Sequence, residues 1–225
     1  MKRGCLTILL VAAVSAAALV GWFTFAFHDY SYRYRLTVNI EIDGKVHTGS
    51  SVIDVTWHEG IKIGDGSPFG PLLRGQAPIV DLDDHGIVIA TLIANYKNSK
   101  DGQGALWLVP RAFGDAQGVN LAMLPSLQGK RELALDNLPR FLWFANSQEP
   151  TTGRGITVAD FASVLGPSAH FVSASVEITN DPVVISIREK LPWIAAIEKR
   201  PPGEQVLYLP NGLGISRYMF IGGAS

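Results

Sequence analysis

From Tyr32 to Asp43 the chain alternates without a break, with Tyr32, Tyr34, Leu36, Val38, Ile40 and Ile42 in one phase and Arg33, Arg35, Thr37, Asn39, Glu41 and Asp43 in the other. A period of two over this length is the mark of a strand with one buried face. Asp43-Gly44 follows at once and tolerates the paired positive φ angles of a type I′ turn, so a hairpin is predicted. A two-residue loop sets Tyr34 opposite Ile53, Tyr32 opposite Val55 and His47 opposite Ile40, whereas a slip of one residue brings Tyr34 against Asp54 and mixes the faces. Ser50 and Ser51 in "TGSSVI" are expected to pack as small residues across from Val38 and Leu36. They lack the Gly-x-Ser-x-Gly elbow that presents a nucleophile.

What precedes the hairpin is equally constraining. Cys5 to Phe27 is a run of 23 residues without a charge, roughly 34 Å as a helix against a hydrocarbon core of about 30 Å. It reads as a membrane helix or a signal peptide. Ala16, Ala17 and Ala18 offer a small-x-small cleavage site, but a cut there leaves a mature terminus of Leu19, Val20, Gly21, Trp22 and Phe23, which favours an uncleaved signal-anchor. Trp22, Phe23, Tyr30 and Tyr32 fit an aromatic belt at the far interface, and Arg33 and Arg35 are placed to meet lipid phosphates or to form the solvated face of a strand. Only His28, Asp29, Tyr30 and Ser31 separate run from hairpin, a reach of at most about 14 Å, so the following domain is expected on the bilayer surface. Lys2 and Arg3 favour a cytoplasmic N-terminus and an exported domain, while Arg33 and Arg35 on the other flank keep a cytoplasmic domain open.

The expected organisation is therefore residues 1–27 as cytoplasmic tip and anchor, and 28–225 as one domain large enough to bury a core without staples. Cys5 is the only cysteine, so the domain contains no disulfide. With 19 Lys and Arg against 20 Asp and Glu, no basic face for nucleic acid is implied. Downstream, "IVDLDDHGIVIATLIANY" predicts a second hairpin turning at Asp83, Asp84, His85 and Gly86. "GALWLVPRAF" reads as a strand ending before Pro110, and Arg140–Ala145 as another. Thr157 with Asp160 opens a helix stopped by Gly166-Pro167. Val172, Ala174, Val176 and Ile178 form the apolar phase of a further strand, with His170 on the same face. Asp181-Pro182 is expected to open a helix carrying Val183, Val184, Ile187 and Leu191 inward, and the last residues to form a loop and two short strands. Many hairpin-joined strands with two or three short helices make an α+β fold built mainly on antiparallel sheet.

The stretches "YRYRLTVNIEIDGKVHTGSSVIDV" and "VEITNDPVVISIREKLPW", together with the basic start and the anchor, resemble a group of uncharacterised membrane-anchored bacterial envelope proteins of unknown function. The resemblance implies an inner-membrane protein with its domain in the periplasm, and it carries over no activity and no catalytic residue.

Chemistry-bearing patterns are sparse. Asp81, Asp83 and His85 are the candidate metal ligands, with His58 and Glu59 as additions should the fold join the loops; such a centre would make a metal-dependent hydrolase. The competing reading is that Asp83, Asp84 and His85 are turn residues. Trp107, Trp143 and Trp193 are expected in core or interface, and an exposed one would point to a binding groove. No cofactor is expected. The leading expectation is a non-enzymatic interaction or structural module whose partners are the lipid bilayer and another envelope or membrane protein, the alternatives being the hydrolase and a carrier of a small apolar ligand.

Overall fold

The alternating segment is strand β1 (Asp29–Ile42), and all six apolar residues from Tyr32 to Ile42 are buried. The structure, a computed structural model, describes residues 13–15, 28–60, 69–94, 104–114, 120–201 and 203–223. The uncharged run, with Trp22 and Phe23, lies outside the described residues apart from the helical residues 13–15. Among the described residues no helix is long and apolar enough to cross a membrane.

Asp43 and Gly44 take φ of 52° and 75°, the two left-handed positions of the turn. β2 (Lys45–Glu59) returns in the expected register, with Tyr34 opposite Ile53, Tyr32 opposite Val55 and His47 opposite Ile40. Ser51 lies across from Leu36, but Ser50 faces Thr37, because Gly49 occupies the place opposite Val38. β1 starts earlier than expected, at Asp29, and the His28 carbonyl already accepts the Glu59 N–H at 3.0 Å.

β3 (Phe69–Gln76), β9 (His170–Ile178), β6 (Lys130–Glu132) and β12 (Ile221–Gly222) complete a six-stranded sheet in the order β12-β3-β2-β1-β9-β6, antiparallel throughout. The second hairpin is β4 (Ile79–Asp81) and β5 (Ile87–Ala94), extended by β7 (Pro139–Phe144) and β8 (Gly153–Ile156) into an antiparallel four-stranded sheet. A small hairpin, β10 (Val206–Tyr208) and β11 (Gly214–Ser216), stands apart. With a few short helices, the fold is α+β and mostly antiparallel, as the sequence indicates. One continuous apolar cluster joins the two larger sheets, from Tyr34, Leu36 and Ile53 to Ile89, Leu142 and Phe144. Each fully buried side chain of this size contributes about 1.5–3 kcal/mol.

Three expectations are corrected. "GALWLVP" is not a strand: Gly104–Leu106 is a 3-10 turn and Leu108–Phe113 a helix, with Pro110 in the first turn, where no N–H is required. A short apolar run does not by itself distinguish buried strand from buried helix. Residues 181–186 form no regular element, and the helix begins only at Ile187–Lys190, followed by Ile194–Glu198. The Gln76 side-chain oxygen accepts the Ser186 and Ile187 N–H groups at 2.7 and 2.9 Å, so the helix starts where β3 supplies its cap; Val184 is left 61% exposed. In β9 a register shift opposite Asn39 and Ile40 turns Phe171 inward against Phe141 and Phe161 and leaves Val172 exposed, off the face of Ala174 and Val176. Thr157–Asp160 behaves as expected: Asp160 accepts the Thr157 N–H at 2.8 Å, and Phe161 and Leu165 of the helix Phe161–Leu165 are buried.

A Cβ on Gly49 would stand 2.3 Å from the Ile79 carbonyl oxygen, so β2 and β4 approach too closely for any side chain there. Around Gly155, on β8, nothing lies within 4 Å of that position. In urea denaturation Gly49→Ala is expected to lose about 1–3 kcal/mol, and Gly155→Ala to stay within about 0.5 kcal/mol of the parent.

At the C-terminal side Glu198 accepts two hydrogen bonds from Arg188, at 2.9 and 2.8 Å, with Arg217 at 3.8 Å. The Arg188 bond chiefly, helped by both guanidinium charges, holds the Glu198 carboxyl below its ordinary value of 4.5. A depressed carboxyl stabilises the fold above its unfolded pKa and loses that contribution as pH falls through the folded one. The stability gap between the parent and Glu198→Gln should therefore be full at neutral pH and close below about pH 4.5, read from denaturation midpoints across pH.

Candidate functional site

The residues proposed as metal ligands sit where the two hairpin turns meet. Asp83, Asp84 and His85 form a 3-10 turn between β4 and β5, with Asp83 at φ 54° and Gly86 at φ 83°. The Asp81 carboxylate pairs with Lys190 at 3.3 Å, Asp83 with Lys45 at 2.6 Å, and His85 with Asp43 at 3.7 Å. Each of the three is thus aimed at a different partner. Among the described residues no group of three or more His, Cys, Asp or Glu side chains is arranged to hold a metal ion. His58 and Glu59 are at the opposite end of β2, paired with Asp29 at 2.8 Å and His28 at 3.8 Å. The cluster locks two turns together: Ser168 also bonds Asp43 at 2.5 Å, and the His47 ring bonds the Asp81 carbonyl at 2.8 Å. Ser51 donates to the Gln76 carbonyl and stands beside no general base among the described residues.

The residues expected at a membrane interface divide in the same way. Tyr32 is buried, with its hydroxyl donating to the Leu106 carbonyl at 3.3 Å, which takes it out of any aromatic belt; it belongs to the inward phase of β1. Burial pushes its phenol pKa, and that of Tyr34, well up. Tyr30 is half-buried, 3.4 Å from Glu59 and 6.3 Å from the Phe69 ring. Arg33 is held by Asp54 at 2.7 Å, and Arg35 by Asp181.

The tryptophans separate into packed and available. Trp57 and Trp107 lie 4.9 Å apart by ring centroids, and Trp193 sits between Phe144 and Phe220. Trp143 instead lines an open groove of about 400 Å³ with Thr151, Arg154, Pro210 and Asn211. A second groove, of about 480 Å³, is lined by Asp181, Pro182, Val184 and Ser186 together with Arg35 and Ser50.

No known protein family, curated protein or solved structure matches this chain. The site therefore stands on its own geometry. Arg154, Thr151 and Asn211 carry no sequence pattern that would single them out; β8 and the Pro210-Asn211 loop bring them to Trp143, with Asn211 bonded to the Gly153 carbonyl at 2.9 Å.

The hydrogen bond and charge of Lys45, foremost, hold the Asp83 carboxyl below its ordinary value of 3.8. In an NMR titration Lys45→Met is expected to move the Asp83 carboxyl upward, toward the ordinary aspartate range. An unchanged titration would remove the turn-to-turn pair.

Proposed function

We propose that this chain is a single-pass protein of a bacterial inner membrane whose α+β domain lies on the periplasmic side and acts as a non-enzymatic interaction module at the membrane surface. The observation that carries the reading is continuity: the 23-residue uncharged run ends at Phe27 and the first strand of the sheet begins at Asp29. One residue, His28, separates them, so Phe27 and Asp29 lie no more than about 7 Å apart. In this reading the end of the sheet that holds Asp29, His58, Glu59 and Phe69 faces the bilayer.

The disposition of charge supports recognition over catalysis. Arg33–Asp54, Arg35–Asp181, Lys45–Asp83 and Arg188–Glu198 are ion pairs that order strands, turns and helices. Side chains held in such pairs serve register and packing, and a general acid or base needs a group free to exchange a proton with substrate.

Protease added to intact spheroplasts expressing the chain with a tag after Ser225 should remove the tag, and undigested cells should show it on a full-length, membrane-bound band. Protection of the tag until lysis would place the domain in the cytoplasm, and a shortened band in the soluble fraction would replace the anchor with a cleaved signal.

A further inference from the structure

Trp143 and Arg154 are directly opposed across β7 and β8, so their side chains leave the sheet on the same face. The indole is oriented by its N–H, which donates to the His85 carbonyl at 2.8 Å. No other aromatic ring of the described residues stacks on Trp143, in contrast to Trp57, Trp107 and Trp193. Around it much of the polar lining is already committed. The Thr152 hydroxyl, with its single proton, lies within hydrogen-bond distance of the Asn146 and Glu149 carbonyls, and the Asn211 amide is used by Gly153 and Leu213. Thr151 and Arg154 remain: among the described residues no carboxylate pairs with Arg154, whereas Arg33, Arg35 and Arg188 each hold one.

The groove thus combines one fixed aromatic face, one hydroxyl and one unneutralised guanidinium in about 400 Å³, a volume at the lower end of small-molecule sites. We propose that it binds a sugar ring carrying a carboxylate. The indole face packs on the C–H face of the pyranose, Thr151 bonds a ring hydroxyl, and Arg154 takes the carboxylate through two parallel N–H···O bonds. Charge complementarity selects an acidic sugar over a neutral one. A groove lined by one aromatic ring together with Pro210 and Asn211 suits a ring that is apolar on one side and hydroxylated at its rim. Saccharide binding in solution does not require the membrane tether, so this assignment and the topology proposed above fail or stand separately.

The test uses the full chain in detergent micelles and follows the indole N–H resonances of its five tryptophans, with Trp143→Phe assigning the Trp143 signal. The probes are a disaccharide of glucuronic acid and N-acetylglucosamine, its carboxyl-reduced neutral counterpart, and adenosine monophosphate. The acidic disaccharide is expected to shift the Trp143 resonance saturably, in the millimolar range or tighter, and the neutral counterpart to bind at least about tenfold more weakly. Arg154→Gln should bring the acidic probe down to the level of the neutral one and leave neutral binding unchanged. The four remaining indole signals, unmoved, establish that each variant is folded. The proposal is overturned if the acidic disaccharide leaves the Trp143 signal unmoved, if Arg154→Gln binds both sugars as the parent does, or if the nucleotide binds more tightly than the disaccharide.

Discussion

Two adjacent residues with positive φ, Asp43 and Gly44, decide which face of a 14-residue strand is buried. Because strand side chains alternate, this one turn commits six large apolar residues to the interior and the intervening polar ones to the other face. β9 and β2 then pair on either side of β1, and β3 continues from β2. The second sheet depends on the same hairpin at Gly49, where the absence of a side chain lets the Ile79 carbonyl approach. Gly86 plays the corresponding part in the second hairpin, since a Cβ there would stand 2.2 Å from the Phe144 carbonyl oxygen. The ion pairs between the two turns are exposed, so solvent screens them and their net contribution to stability is small. Their role is to keep two turns in register, and the apolar cluster beneath them supplies the stability.

The tyrosines of β1 extend this organisation into a region without strands. Tyr32 and Tyr34 donate to the carbonyls of Leu106 and Ala105, so a 3-10 turn is tied to the sheet through side chains where a ladder is lacking. Each such bond contributes about 1 kcal/mol net. Its larger effect is to satisfy buried carbonyls, which explains how an apolar run that reads as a strand is accommodated as turn and helix. Burial raises both phenol pKa values above the ordinary 10.0, so the two donors persist into alkaline conditions.

The elements legible in the sequence are those whose information is local. The first hairpin and its register follow from alternation and a two-residue turn, and β5, β7 and the Thr157–Asp160 helix start follow from runs and caps of the same kind. What was not legible depends on contacts distant in sequence. Gln76 on β3 caps a helix 110 residues away, which overrides the local cap that Asp181-Pro182 offers. The β9 register shift sets Phe171 opposite Ile40 and against Phe141 and Phe161, an arrangement that strict alternation cannot express. The site shows the same limit. Asp81, Asp83 and His85 are close in sequence and diverge in space, whereas Trp143, Arg154 and Asn211 are far apart in sequence and line one groove.

The two ends of β1 carry different chemistry. At Asp29 the sheet meets the uncharged run, and its side chains there are His58, Glu59 and Tyr30. At the other end, roughly 40 Å away at about 3.3 Å per residue, Asp43 contacts His85, whose carbonyl orients Trp143. A chain joined to a membrane at the first end through a single residue has little freedom to bring the second end to the same bilayer. Under the topology proposed above, the groove at Trp143 and Arg154 faces away from the lipid. In that proposal the strand that specifies the fold also sets the distance between the tethered end and the groove.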